Sequence, residues 1–106
     1  MASALINVPA KAKRGEIITI KTLMSHVMES GFRRSQLGAA IPRDIITFFV
    51  CTYNGEEIFQ AALYPAIAAN PFVTFTTIAT ESGKIAFTWL GDNGFSATES
   101  VNITIE

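Results

Sequence analysis

Between Glu16 and Met28 the chain alternates with a period of two. Ile18, Ile20, Thr22, Met24, His26 and Met28 fall on one side of an extended backbone, and Thr19, Lys21, Leu23, Ser25 and Val27 on the other. Such alternation belongs to a half-buried strand, whose successive side chains point to opposite faces. The same period recurs in KIAFTWL at 84–90, where Ile85, Phe87 and Trp89 oppose Lys84, Ala86 and Thr88. It recurs again near the end, where Val101, Ile103 and Ile105 oppose Ser100, Asn102 and Thr104. Residues 72–80, FVTFTTIAT, carry the Thr and aromatic content of a strand. No stretch sustains the 3.6-residue stripe of a helix, so the pattern predicts an all-β chain.

Turn residues cut this chain into short pieces. Asn54-Gly55 suits a type I′ turn, in which both central residues need positive φ, and joins the run Asp44–Tyr53 to Glu57–Leu63. Ser82-Gly83 is expected to close a second hairpin and Gly91-Asp92-Asn93-Gly94 a third. Pro65 and Pro71 each remove a ladder donor and mark strand ends or an edge. About seven short strands spaced roughly 8–12 residues apart indicate an immunoglobulin-like antiparallel β-sandwich. With Cys51 as the sole cysteine, that sandwich stands without a disulfide. At 106 residues the expectation is a single domain over residues 1–106.

One run breaks the alternation. In IITFFVCTY, residues 45–53, Ile45, Phe49, Cys51 and Tyr53 take one face while Ile46, Phe48 and Val50 take the other. A strand apolar on both faces needs cover on both. The cover is either the chain's own 29–41 loop or a second polypeptide, since a bare patch of Phe and Ile invites aggregation.

Charge and chemistry exclude several functions. Eight basic and nine acidic residues are scattered to a net charge of −1, which leaves no basic stripe for nucleic acid. Apolar runs fall far short of the roughly 20 residues that a membrane helix needs. One His and one Cys do not make a zinc site. A Cys51–His26 nucleophile pair is conceivable across neighbouring strands, but Cys51 within FFVCTY reads as a buried, inert core residue. There is no glycine-rich phosphate loop opening a helix. The expectation is a protein without a catalytic constellation, metal or cofactor. The amino-terminal MASALINVPAKAKRGE lacks the apolar core of a secretory signal, which taken alone points to the cytoplasm.

The polar residues concentrate in SHVMESGFRR, residues 25–34, which gathers His26, Met28, Glu29, Arg33 and Arg34 in an otherwise apolar chain. This stretch belongs to an ordered series of motifs. Gly15-Glu16 is followed by S-H-x-M-E-S-G-x-R from Ser25 to Arg33 and by I-P-R-x-I-I from Ile41 to Ile46. F-x-C-x-x-N-G from Phe49 to Gly55 comes next, then Asn70-Pro71-Phe72, then S-G-x-x-x-F-x-W ending at Trp89. Taken together, this series closely resembles the SoxZ family, the smaller subunit of the SoxYZ sulfur-carrier complex of bacterial thiosulfate oxidation. The resemblance covers the chain after residue 6, and the order of the motifs is more specific than any one of them.

The resemblance implies an immunoglobulin-like fold and a non-catalytic carrier subunit. In the family, SoxZ pairs as a heterodimer with SoxY, whose Gly-Gly-Cys-Gly-Gly arm holds the sulfur intermediates while other Sox enzymes visit it transiently. This chain ends in VNITIE and keeps its cysteine inside a predicted strand, unlike SoxY. Family members lacking a signal are exported with a signal-bearing SoxY, which implies a periplasmic location. The partner interface is expected at His26, Met28, Glu29, Arg33, Arg43 and Phe48, with the arginines favouring thiosulfate or sulfonate adducts through charge-assisted bonds. A stand-alone immunoglobulin-like binding or adhesion module and a thiol enzyme using Cys51 and His26 are the other readings. A homodimer is expected of the isolated chain if its apolar face is left uncovered.

Overall fold

The computed structural model of the chain describes residues 3–106. Eight strands run in the order β1 (Ala4–Asn7), β2 (Lys11–Ala12), β3 (Ile17–Met24), β4 (Ile46–Tyr53), β5 (Glu56–Ala62), β6 (Phe72–Ile78), β7 (Gly83–Gly91) and β8 (Ser96–Ile105). They form a three-stranded sheet, ordered β1-β3-β6, and a five-stranded sheet, ordered β2-β8-β7-β4-β5. The pairs are antiparallel except for the short β2, which runs parallel to β8. The result is the expected immunoglobulin-like all-β sandwich without a disulfide. No helix among the described residues is long and apolar enough to cross a membrane.

The period-two faces bury as the sequence dictates. Ile18, Ile20, Thr22, Met24, His26 and Met28 are all buried, and so are Ile85, Phe87 and Trp89. Phe49 sits at the centre of the core, its ring centroid 5.2 Å from Trp89 and 6.3 Å from both Phe75 and Phe87. Phe59 of β5 stacks on Phe75 of β6 at 4.3 Å and so ties the two sheets together. Large aromatic side chains supply most of the buried apolar area in a core this small.

Turn chemistry meets two of its three expectations. Asn54 and Gly55 adopt φ of 51° and 85° and join β4 to β5. The 91–94 turn joins β7 to β8 through a short 3-10 turn, Asp92–Gly94. Ser82-Gly83, however, closes no hairpin: β6 pairs with β3, and β7 lies in the other sheet. The 79–82 segment crosses between the sheets instead. There Tyr53 Oη donates to the Glu81 carbonyl at 2.6 Å and accepts the Thr80 amide at 3.4 Å.

The run 45–53 departs from simple alternation for a physical reason. A register shift between Ile46 and Phe48 in the β4–β7 ladder turns Ile46 inward, so it is buried together with Phe49, Cys51 and Tyr53. A bulge of this kind places one extra residue in a strand and bends it locally, and Ile45 just before it is buried as well. Ile46 therefore belongs to the core and not to the outer face. The outer face keeps Phe48 and Val50, both half-buried. Phe48 lies between Ala62 of β5 and Leu90 of β7 in register, giving a short apolar row on the outside of the larger sheet. The 29–41 loop turns its own Phe32 and Leu37 to solvent.

Candidate functional site

The polar cluster of the sequence folds to one end of the sandwich, just past the end of β3. Four segments meet there: 25–30, 43–46, 69–71 and 91–95. They enclose a cleft of about 550 Å³ lined in part by His26, Val27, Asp44, Asn70, Asp92 and Phe95. Among the described residues, three of the four non-glycine residues with left-handed backbone lie in these segments: Met28 at φ 51°, Asn70 at 55° and Asn93 at 59°. Strained backbone of this sort gathers where a fold holds side chains in place for a purpose.

His26 is fixed from both sides. Its amide donates to Asn70 Oδ1 at 2.9 Å, and its carbonyl accepts the Asn70 amide at 2.8 Å. Ring atom Nδ1 accepts the Met28 amide at 2.9 Å, and the ring meets Phe95 edge-on at 4.8 Å. Nε2 faces Asp44 Oδ1 at 3.6 Å, beyond hydrogen-bond reach. Ser25 and Asp44 line the same cleft as this histidine. A hydrolytic triad would nevertheless need one ring nitrogen free to take the serine proton. Here Nδ1 already accepts the Met28 amide and the ring proton is left on Nε2, so neither nitrogen is free to take the serine proton and the three residues are not arranged as a triad.

Met28 is buried, and its Sδ accepts the Ile46 amide at 3.2 Å beside the β4 bulge. Its backbone amide serves the His26 ring. Met28 thus has almost no surface to present; it links the bulge to the histidine.

Both arginines of the expected rim already hold acidic partners. Arg33 Nη2 bonds Glu29 Oε1 at 2.6 Å, an i,i+4 pair that holds the Glu29 carboxyl below its usual range. Arg43 forks onto Asp92, and that contact, followed by the Ile45 amide, draws the Asp92 carboxyl below its ordinary value. Each of the two arginines expected to favour sulfur oxyanions thus already faces a carboxylate. Gly31 lets the two pairs sit side by side, because a Cβ there would lie 3.0 Å from Arg43 Cβ. Arg34 instead bonds the Gly38 carbonyl at 3.0 Å within the hairpin formed by 33–41. Phe48 stands apart from this cluster, on the outer face of the larger sheet.

Cys51 lies within β4, fully buried. Desolvation pushes its thiol up to about 12. Among the described residues its polar contact is a 4.0 Å approach to the Thr52 carbonyl, and no hydrogen bond there joins it to His26. No group of three or more potential metal ligands occurs among the described residues.

Sequence reasoning missed Asp44, Asn70, Asp92 and Phe95, the residues that turn the polar stretch into a cleft. Asp44 is the unspecified position of I-P-R-x-I-I, Asn70 a fixed residue of Asn70-Pro71-Phe72 with no role assigned, and Asp92 only a turn residue. Nothing local marks Asp92 as the partner of a residue 49 positions away.

The sandwich is shared with solved structures at low identity. A superoxide reductase (neelaredoxin) from Ignicoccus hospitalis superposes with a TM-score of 0.77 at 18% identity, covering 98% of this chain and 80% of that one. The sulfur carrier protein SoxY from Chlorobium limicola f thiosulfatophilum superposes with a TM-score of 0.66 at 10% identity, covering 97% and 78%. At these identities the likeness is one of fold. No curated protein sequence matches the chain. A family profile described as "Sulphur oxidation protein SoxZ" matches residues 6–102, and with nearly the whole length covered, the chain belongs to the SoxZ family.

Proposed function

We propose that this chain is the non-catalytic subunit of a SoxYZ-type sulfur-compound carrier complex in thiosulfate oxidation. It pairs with a SoxY-type subunit, whose own arm cysteine carries the sulfur intermediates. The family match over residues 6–102 carries this reading. The chemistry of Cys51 supports it, because a fully buried thiol raised to about 12 is a poor nucleophile and a poor carrier of cargo. The apolar row at Phe48 and Leu90 supports it from the side of assembly, as a half-exposed surface suited to a partner chain. A carrier pair working in the periplasm, with this chain exported alongside its signal-bearing partner, completes the proposal.

Co-expression with a SoxY-type chain tests it. A one-to-one complex that supports thiosulfate-dependent turnover with the remaining Sox enzymes, and that reaches the periplasm only when the partner carries its leader, is the expected result. A chain that stays monomeric beside every SoxY-type partner, and whose omission leaves turnover unchanged, overturns it in favour of a stand-alone module.

A further inference from the structure

The cleft at the end of the sandwich has no task in the carrier reading, yet it is a built site. His26 is nine-tenths buried, and among the described residues no hydrogen bond reaches its Nε2. Because Nδ1 accepts the Met28 amide, the ring proton sits on Nε2, which is therefore a donor. The neighbouring Asp44 carboxylate makes no side-chain hydrogen bond among the described residues and stands 3.6 Å from Nε2. A fixed donor thus lies beside an open acceptor in one wall of a cleft of about 550 Å³.

We infer that this cleft binds the backbone of a short extended peptide, with one peptide carbonyl accepting from His26 Nε2 and one peptide N–H donating to Asp44. A peptide unit supplies one acceptor and one donor, matching the pair on the wall. Val27, largely exposed, with Phe95 and Ala69, gives apolar surface for the flanking side chains. The site is rigid before anything binds, since Asn70 clamps the His26 backbone at two points and Phe95 holds its ring. Preorganisation of this kind lowers the entropic cost of binding.

Other ligand classes fit less well. An oxyanion would accept from Nε2 but meet the carboxylates of Asp44 and Asp92. An ammonium group would suit Asp44 but face the Nε2 proton. A metal ion would need that proton removed, and both oxygens of Asp92 are already occupied by Arg43.

Titration of the full-length, isotopically labelled chain, followed by amide and imidazole NMR signals, tests the inference without a partner protein. The probes are N-acetylalanine N-methylamide, sodium thiosulfate, methylammonium chloride and zinc chloride. The blocked residue should shift Val27, Asn70, Asn93 and the His26 ring saturably. Asp44→Ala, which removes no side-chain hydrogen bond among the described residues, should weaken that binding roughly tenfold or more, the scale of losing a hydrogen bond to a charged group. Arg34→Ala, on the hairpin, should leave it unchanged. An absence of saturable shifts from the blocked residue, tighter binding of any of the other three probes in the cleft, or indifference to Asp44→Ala overturns the inference. Each of these outcomes leaves the carrier reading untouched, because none depends on SoxY.

Discussion

Arg43 and Asp92, 49 residues apart in the chain, meet in a two-pronged bond, Nε to Oδ2 at 2.8 Å and Nη2 to Oδ1 at 2.9 Å. Oδ2 also accepts the Ile45 amide at 3.2 Å, so one carboxylate joins the 91–94 turn to the start of β4. The Arg43 fork is the main cause of the lowered Asp92 pKa, with the Ile45 amide next. A carboxyl whose folded pKa is depressed adds stability above its unfolded value, and that stability is lost as pH falls through the folded value. Asp92→Asn should therefore melt below wild type at neutral pH. The gap in Tm should hold down to about pH 5 and close below the ordinary carboxylate range near about 3.9. Paired melts at several pH values check this; a gap that widens in acid refutes the assignment.

Met28 tests whether a thioether acceptor matters to the bulge. Its Sδ is the recorded partner of the Ile46 amide, and Ile46 is fully buried. Met28→Leu keeps volume but strands that donor, at a cost of about 1–3 kcal/mol. Met24, equally buried, has no side-chain hydrogen bond among the described residues, so Met24→Leu should cost less than about 1.5 kcal/mol. Urea unfolding of the two variants side by side separates the lost acceptor from simple repacking. Equal costs would leave the sulfur contact without energetic weight.

The contrast between these two methionines marks what was legible in the sequence. Both share the alternating face from Ile18 to Met28, and that face was readable because its signal is local: every second side chain must be apolar if one side is buried. The same logic located Phe87, Trp89 and the Asn54-Gly55 turn. It failed at Ile46, because a bulge changes the parity of a strand without leaving any mark on composition. It failed at Ser82-Gly83, because a turn dipeptide fixes local backbone and not which sheet the next strand joins. The cleft was half legible. His26 drew notice as the sole histidine, but its surroundings come from loops that only the closed sandwich brings together.

Cys51 should behave as a sealed thiol. With its pKa raised to about 12 by burial, the thiolate fraction near pH 8 is tiny. Alkylation by iodoacetamide in the native state should run about a thousandfold or more slower than in urea, since only thiolate reacts. The sign for stability also follows. A thiol kept neutral by the fold favours the native state below its unfolded pKa near about 8.5, and that advantage falls away as pH climbs toward the folded value. The stability difference between wild type and Cys51→Ala should therefore narrow between about pH 9 and 11. Fast native labelling would place the sulfur at the surface.

Gly91 is required by close approach, not by backbone torsion, since its φ of −159° is open to any residue. A Cβ there would sit 2.5 Å from the Ile45 carbonyl oxygen and 3.0 Å from Ile46 Cα. Those are backbone atoms and cannot rotate away. Gly91→Ala should cost about 1–3 kcal/mol, as overpacking does elsewhere. It should also disturb the Arg43–Asp92 fork beside it. A thermal melt gives the first effect, and the guanidinium signal of Arg43 in NMR gives the second. A stable variant with an intact fork would mean that β4 and β7 can part more easily than their packing suggests.

Phe48 and Phe49, adjacent in β4, should respond in opposite ways. Phe49 is fully buried among Phe59, Phe75, Phe87 and Trp89, and Phe49→Ala should lose about 3–5 kcal/mol. Phe48 points outward between Ala62 and Leu90 and is only half-buried. Phe48→Asp should leave the circular dichroism and melting of the isolated chain near wild type. On the carrier reading it should still weaken assembly with a SoxY-type subunit about thirtyfold or more, the scale of an interface hot spot. Calorimetric titration of the two chains measures that loss. If Phe48→Asp binds as wild type does, the partner docks elsewhere and the apolar row serves another surface. If it unfolds the chain, the outer face is held by packing within the sandwich itself.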